Sequence, residues 1–125
     1  MAKIFFDANY FIDTVQQRKD ITLESFLMHQ LFISPLSVHI LAYTYKYKIP
    51  SEKLTKTLQG HFTIIPFDLE INQKALAGPT SDFEDNVQLH SAAEGECDVF
   101  LTDDKKLLSL KFFGKTQLLP TLKDL

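Results

Sequence analysis

Val99-Phe100-Leu101-Thr102-Asp103-Asp104 is an apolar run that ends in two adjacent carboxylates. The same arrangement occurs near the start of the chain as Ile4-Phe5-Phe6-Asp7. Both runs have the length of a buried strand, and the residues that follow each of them have helical spacing. Because the carboxyl ends of parallel strands lie at one edge of a sheet, the two segments predict that aspartates distant in sequence meet at that edge.

Strands and helices alternate along the rest of the sequence. Apolar or β-branched runs predict five strands, at residues 3–6, 31–33, 62–65, 99–101 and 117–119. Helices are predicted at residues 8–16, 35–46 and 52–59, from residue 68, from about residue 82 to 94, and at 105–110. Residues 21–30 carry Leu23, Phe26 and Leu27 on one face. The alternation predicts an α/β domain with a parallel sheet covered on both faces.

Three local signals predict where helices begin and end. Ser34-Pro35 is typical of a helix start, because serine accepts from a free helix N–H and proline has no N–H to leave unpaired. Ser81 and Glu84 have the spacing of a capping box. Gly95 is placed as a left-handed stop for the helix that begins near Asp82.

Composition limits the classes of protein that the chain can belong to. With 125 residues, 45% of them hydrophobic, residues 1–125 are expected to form one domain with a single core. The single cysteine, Cys97, excludes an internal disulfide and a zinc thiolate set, so a reducing, cytoplasmic location is expected. The start of the chain has no leader pattern and no long apolar stretch, so neither secretion nor a membrane is expected. The net charge of −3 argues against coating of nucleic acid by charge alone.

A cluster of carboxylates at one sheet edge has a specific chemical consequence. The candidates are Asp7, Asp82, Asp85, Asp103 and Asp104. Carboxylates a few ångströms apart repel by several kcal/mol at a protein surface, so protons, lysines or a cation must compensate them. An all-oxygen site suits Mg²⁺ or Mn²⁺, which activates water and stabilises charge on a phosphodiester. The sequence therefore predicts a divalent-metal site that hydrolyses phosphodiesters.

Three blocks of the sequence carry a family resemblance. They are Phe6-Asp7-Ala8-Asn9 with Phe11-Ile12, then Asp82-Phe83-Glu84-Asp85 running into Ala92-Ala93, and Cys97-Asp98-Val99-Phe100-Leu101-Thr102-Asp103-Asp104. In this order and at these intervals they resemble the PIN-domain family, in particular its VapC-like branch with a D-F-E-D helix start. The ending Leu118-Leu119-Pro120-Thr121-Leu122 is similar to the last strand and short helix of that branch, so the resemblance covers the whole chain.

The resemblance implies a fold, an activity and partners. The fold is a three-layer α/β/α domain with a five-stranded parallel sheet, and the activity is that of a Mg²⁺- or Mn²⁺-dependent endoribonuclease. Asp7, Asp85 and Asp104 match the catalytic metal ligands, and Asn9 and Thr102 are supporting candidates. Many relatives are toxins of toxin–antitoxin pairs, so the implied partners are an RNA substrate and a small antitoxin protein that inserts a peptide into the acidic groove.

The chain departs from the usual pattern at one position. A glutamate is expected on the helix after the second strand, and its place is taken by Ile40. His39 is adjacent but is a poorer partner for Mg²⁺, while Asp82 or Asp103 are candidates to compensate. The departure keeps a second interpretation open, in which the domain is a catalytically weakened PIN scaffold that binds RNA or a protein without cleavage.

Several of these residues also have purely structural interpretations. Asp82 and Asp103 are suited to complement or cap a helix N-terminus, and His39 is suited to a half-buried helix position. A basic and aromatic stretch is compatible with RNA binding, a solvated face or a homodimer surface with tyrosine anchors; it contains Tyr43, Tyr45, Lys46, Tyr47, Lys48, Lys53 and Lys56. A phosphoryl-transfer domain with Asp7 as nucleophile is a third interpretation, weakened because position 9 is Asn.

Overall fold

The structure, a computed structural model, describes residues 1–18 and 21–124. Six strands form one mixed sheet in the order β3-β2-β1-β4-β6-β5. All neighbouring strands are parallel except β5, which runs antiparallel to β6. The strands are β1 (Lys3–Phe6), β2 (Gln30–Ile33), β3 (Phe62–Ile64), β4 (Val99–Leu101), β5 (Phe112–Phe113) and β6 (Thr116–Leu119).

Helices occupy the connections between these strands. They are α1 (Ala8–Val15), α2 (Pro35–Thr44), α3 (Glu52–His61), α4 (Leu69–Ala77), α5 (Phe83–Glu94) and α6 (Lys105–Leu108), with 3-10 helices at Leu23–Phe26 and Leu122–Asp124. Ser34 caps α2 by accepting from Leu36 N–H, and Pro35 is its first residue, as predicted.

The core lies on both faces of the sheet because successive strand residues point in opposite directions. Ile4 and Phe6 of β1 belong to one buried cluster, with Phe11 of α1. Phe5, between them, belongs to the other cluster and stacks on Phe100 with ring centroids 5.4 Å apart. The predicted α/β class with both faces covered is therefore confirmed.

The prediction of a five-stranded, wholly parallel sheet is wrong. All five predicted strands form and are parallel to one another, but β5 adds a sixth strand that runs antiparallel to β6. Residues 112–113 are too short a run to show the period of a strand, and they pair through a tight hairpin in which Gly114 has a φ of 60°. The PIN fold itself stays a prediction.

Two expectations about helices also need correction. Within residues 21–30 the structure has one 3-10 turn, Leu23–Phe26, and Gln30 already belongs to β2. Leu23 and Phe26 are three residues apart, which places them on the same side of a 3-10 helix. Leu27, expected on the same face, is 71% exposed.

The start and the end of α5 differ from the predicted signals. Asp82, and not Ser81, is the N-cap, and its carboxylate accepts from the N–H of Asp85 at 2.9 Å. Gly95 has a φ of −77° and is not left-handed; Glu96 takes that conformation, with a φ of 52°. A Cβ at position 95 would lie 2.9 Å from Ile65 Cδ1, so a larger residue there would require the end of the Ile65 side chain to move.

The buried side chain of Asn86 fixes the loop that leads into α5. Its Oδ1 accepts from the N–H and the hydroxyl of Thr80, at 2.9 and 2.6 Å. Its Nδ2 donates to the carbonyls of Ala75 and Thr80, at 2.9 Å each. Asn86 therefore connects the last turn of α4 to the loop and sets where α5 begins.

Replacement of Asn86 by alanine is expected to destabilise the domain by about 2–4 kcal/mol, because several buried polar groups lose their partners at once. Urea unfolding followed by circular dichroism measures the change. Gln73→Ala, at an exposed position of α4, is the control and is expected to change stability by less than about 0.5 kcal/mol. Equal effects of the two substitutions would contradict the role assigned to Asn86.

Candidate functional site

The pairing of β1 with β4 brings the first and last acidic segments together. Phe6 is opposite Leu101 in the parallel register, and the N–H of Asp7 donates to the carbonyl of Leu101 at 3.1 Å. Asp7 and Thr102 therefore leave adjacent strands at the same edge of the sheet. The start of α5 reaches this edge as well, since Asp85 and Asp104 are close enough for their charges to interact.

A small cavity of about 90 Å³ lies at this edge. Residues from β1–α1, α2, α5 and the β4–α6 connection line it: Asp7, Ala8, Asn9, Ile40, Glu84, Asp85, Gln88 and Asp104. Four of these are carboxylates, and the described lining includes no Lys, Arg or His. The cavity is therefore a concave acidic site without a compensating protein cation in its wall.

Asp7 is the most deeply buried of these carboxylates, with 7% of its surface exposed. Its Oδ1 caps α1 by accepting from the N–H of Tyr10 at 2.7 Å. Burial raises the pKa of Asp7 from 3.8 to about 6; hydrogen bonds from Thr102 and Tyr10 oppose the rise, and the charges of Asp103 and Asp104 add to it. The fold thus makes ionisation of Asp7 less favourable than ionisation of an exposed aspartate.

Asp85 has the same raised affinity for a proton. Desolvation raises the pKa of Asp85 to about 6, and the negative charges of Asp82, Asp104, Asp7 and Glu84 add to the effect. The carboxylates that raise the pKa of Asp85 come from three parts of the chain, so the site brings together negative charges that are distant in sequence.

Thr102 links two of the acidic residues. This fully buried threonine hydrogen bonds to the side chain of Asp7. Its hydroxyl oxygen also accepts from the N–H of Asp104 at 3.0 Å. Asp104 in turn caps α6, accepting from the N–H groups of Lys106 at 2.8 Å and Leu107 at 3.3 Å. The arrangement holds Asp7 and Asp104 in fixed relative positions.

Asn9 lines the cavity and is exposed. The remaining predicted residues lie around it. Asp82 caps α5, and Asp103 is exposed at the end of β4. The pKa of the Tyr10 hydroxyl is raised to about 12, mainly by burial and then by the negative charges of Asp103, Asp7 and Asp13. Asp103 therefore adds to the negative potential near the cavity. His39 is exposed, stacks on Tyr43 with ring centroids 6.0 Å apart and is not part of the cavity wall as described.

Sequence reasoning missed two polar residues of the cavity, Glu84 and Gln88. Both lie on α5, at positions four residues apart, and therefore on the same helix face. Gln88 is 3% exposed, and its Oε1 has no hydrogen-bond partner among the described residues. The signal available in the sequence was spacing, since Gln88 is three residues after Asp85. Ile40 is in the cavity wall, so the position where an acid was expected faces the site with an apolar side chain.

The oxygen atoms that line the cavity suit a hard divalent cation, which prefers carboxylate and amide oxygens as ligands. The carboxylates repel one another, and the amide oxygen of Gln88 has no hydrogen-bond partner among the described residues. In the described arrangement no three His, Cys, Asp or Glu side chains are grouped closely enough to hold a metal ion. Asp7 and Asp104 each direct one carboxylate oxygen to a helix N-terminus.

The basic and aromatic stretch has a different environment from the cavity. Tyr47 accepts from the side-chain amide of Gln16 at 2.9 Å, and Tyr45 lies under Arg18 at 5.1 Å, so both rings are engaged within the domain. Tyr43 is 78% exposed. Of the predicted tyrosine anchors, Tyr43 is the one that presents most of its ring to solvent.

Cys97 is buried, and desolvation raises the pKa of its thiol to about 12. A thiol with this pKa stays protonated at neutral pH, so Cys97 is a poor nucleophile and belongs to the core.

Comparison with known proteins identifies no relative: the chain matches no protein-family model and no curated protein. Within the described residues, no helix combines the length and the apolar character needed to cross a membrane. The site is therefore interpreted from its own geometry and electrostatics.

The raised pKa of Asp7 predicts a pH-dependent stability. Its folded pKa of about 6 exceeds the ordinary value of 3.8, so the unfolded state releases the proton first and stability falls as pH rises from about 4 to about 6. Asp7→Asn keeps an N-cap and removes the charge. We expect this variant to be more stable than the native protein at pH 7.5 by on the order of 2 kcal/mol, with no difference near pH 3.5.

Urea unfolding with a chelator present, at both pH values, measures this difference. Asp68→Asn is the matched control, because Asp68 also caps a helix, α4, but is exposed. It is expected to change stability by less than about 0.5 kcal/mol at either pH. A destabilised Asp7→Asn variant at pH 7.5 would show that the buried charge is compensated within the fold.

Proposed function

We propose that this chain is a PIN-like, Mg²⁺- or Mn²⁺-dependent endoribonuclease, of the kind that acts as the toxin of a toxin–antitoxin pair. One observation carries the proposal: carboxylates from the beginning, middle and end of the chain line one cavity, where burial first, and then repulsion between negative charges, raise the pKa values of Asp7 and Asp85 to about 6. A divalent cation is the ligand that would best relieve this repulsion.

In this proposal Asp7, Asp85 and Asp104 hold the cation. Asp7 and Asp104 are preset for the role, since helix N-termini fix one oxygen of each carboxylate and Thr102 connects the two residues. When bound, Mg²⁺ or Mn²⁺ lowers the pKa of water and stabilises negative charge on phosphate. In the proposed reaction a water oxygen would bond to phosphorus while one phosphorus–oxygen bond to ribose breaks, and the proton given up by the water would go to the leaving oxygen.

The chain's own residues account for the remaining requirements. Burial and repulsion oppose the negative charges of Asp7 and Asp85, so a bound cation would lower the pKa values of both carboxyls. Asn9 is exposed at the cavity and offers an amide to the substrate. Lys105 and Lys106, exposed directly after Asp104, offer cations for RNA phosphates.

The proposed partners follow from the same site. The substrate is RNA, and an inhibitory antitoxin protein would occupy the acidic cavity with a peptide. A basic peptide side chain suits a cavity whose described wall is acidic. Pairing of two copies through the surface around Tyr43 is part of the proposal as well, since that ring is exposed.

RNA cleavage in the presence of Mn²⁺ tests the activity. We expect purified protein to cut a mixed RNA substrate, and Asp7→Asn or Asp85→Asn to lower the rate by roughly 100-fold or more, because each removes a charge that holds the ion. Asp98→Asn is the control, since Asp98 is exposed at the opposite end of β4; its rate is expected to equal that of the native protein. Cleavage that persists in Asp7→Asn would contradict the assigned site.

A weakened scaffold that binds RNA or a protein without cleavage is the second candidate, favoured by Ile40 in the cavity wall. With one acid fewer, the site has less charge to attract the cation. RNA binding that needs no metal, without cleavage at millimolar Mn²⁺, would support this scaffold.

Restoration of an acid at position 40 tests the effect of this departure. Ile40→Glu is expected to raise Mn²⁺ affinity by roughly tenfold or more, because it adds a charged oxygen ligand at the cavity. Isothermal titration calorimetry measures the affinity. His39→Glu adds the same charge one residue away, at an exposed position that is not in the described cavity wall, and is expected to change the affinity less than twofold. Equal gains in the two variants would show that position 40 has no special place in the site.

A further inference from the structure

Gln88 lies in the acidic cavity with an unpaired buried oxygen. The residue is 3% exposed, it lines the cavity together with Glu84 and Asp85, and its Oε1 has no hydrogen-bond partner among the described residues. Buried side-chain amides normally have their acceptors paired. An unpaired acceptor in a cavity is therefore an observation that points to a ligand.

The position of Gln88 on α5 directs its side chain toward the carboxylates. Glu84 and Asp85 precede it by four and three residues, so all three occupy one face of the helix. Long side chains on a helix lean toward its N-terminus, which here carries the two acids. Gln88 therefore extends toward the same space that Asp85 faces.

Two buried polar side chains close to Gln88 on α5 have hydrogen-bond partners. Asn86, two residues earlier on α5, uses both its oxygen and its nitrogen, and the hydroxyl of Ser91 donates to the carbonyl of Val87 at 2.7 Å. Among the described residues, Ser37 Oγ is the other buried atom without a partner, and Ser37 is not in the described wall of the acidic cavity. Gln88 thus differs from Ser37 because it belongs to the wall of a cavity that already contains carboxylates.

We propose that Gln88 supplies a neutral oxygen ligand to the divalent cation held by Asp7, Asp85 and Asp104, an inference that rests on the proposed function. A side-chain amide oxygen is an accepted ligand of hard cations. It adds a donor without adding charge, which matters in a cavity whose carboxylates already repel one another. With Ile40 contributing no oxygen from α2, Gln88 provides the additional donor from α5.

Mn²⁺ affinity, measured by isothermal titration calorimetry and by the electron paramagnetic resonance signal of free Mn²⁺, tests the proposal without any need for cleavage. Gln88→Leu keeps the approximate size and removes the acceptor. We expect it to weaken Mn²⁺ binding by roughly 10- to 100-fold, while the metal-free protein unfolds at an equal or higher urea concentration because an unpaired acceptor is gone.

Ser37→Ala is the matched control, because it removes the other unpaired buried oxygen at a position outside the described cavity wall. Its Mn²⁺ affinity is expected to equal that of the native protein. Gln88→Glu keeps an oxygen at the position and is expected to bind Mn²⁺ at least as tightly as the native protein. This variant provides the test if the leucine variant does not fold.

The outcomes separate this inference from the proposed function. If native protein binds Mn²⁺ and Gln88→Leu binds it equally well, the role of Gln88 is overturned and the nuclease proposal stands. Weaker Mn²⁺ binding by a folded Gln88→Glu also overturns the ligand role. If native protein and Ile40→Glu both fail to bind Mn²⁺ at millimolar concentration, the proposed function fails, and the inference with it.

Discussion

The hydrogen bond from the N–H of Asp7 to the carbonyl of Leu101 extends the pairing of β1 and β4 by one residue beyond the strands, and the rest of the site depends on it. This pairing joins segments almost a hundred positions apart in sequence. A shift of one residue in its register would move every side chain of β1 to the opposite face of the sheet, including the fully buried Phe5 and Phe6. Core packing on both faces therefore fixes where Asp7 leaves the sheet.

The same packing explains why the acids are held in an unfavourable environment. Asp7 follows three fully buried residues of β1, so it leaves the core with little solvent around it. Helix N-termini and Thr102 stabilise the carboxylate, but they do not cancel the cost of burial, because the pKa stays raised. A buried carboxyl with a raised pKa in a cavity is typical of a binding or active site, where a group that destabilises the fold is kept because it binds a ligand.

Apolar runs in the sequence were sufficient to predict the strands that build the site, because each is long enough to reveal its period. The hairpin at residues 112–117 was not predictable in this way, since a two-residue strand has no period. Positions after strands made Asp7, Asp103 and Asp104 candidates, a helix start made Asp82 and Asp85 candidates, and the family resemblance selected Asp7, Asp85 and Asp104. The structure brings these three to one cavity, and their role as ligands stays a prediction. Gln88 was not predicted because it carries no charge, and its burial in the cavity wall is not visible in the sequence.

Asp7, Asp82 and Asp104 each cap a helix, so these residues stabilise the fold whether or not they bind a ligand. Selection for stability alone favours an aspartate or asparagine at each of these positions, whatever happens to the chemistry. A descendant that had lost the proposed reaction would therefore keep most of these aspartates, because they still cap helices. Gln88 caps no helix in the structure, so a substitution at this position would be a clearer sign that the proposed metal ligand had been lost than a substitution of an aspartate would be.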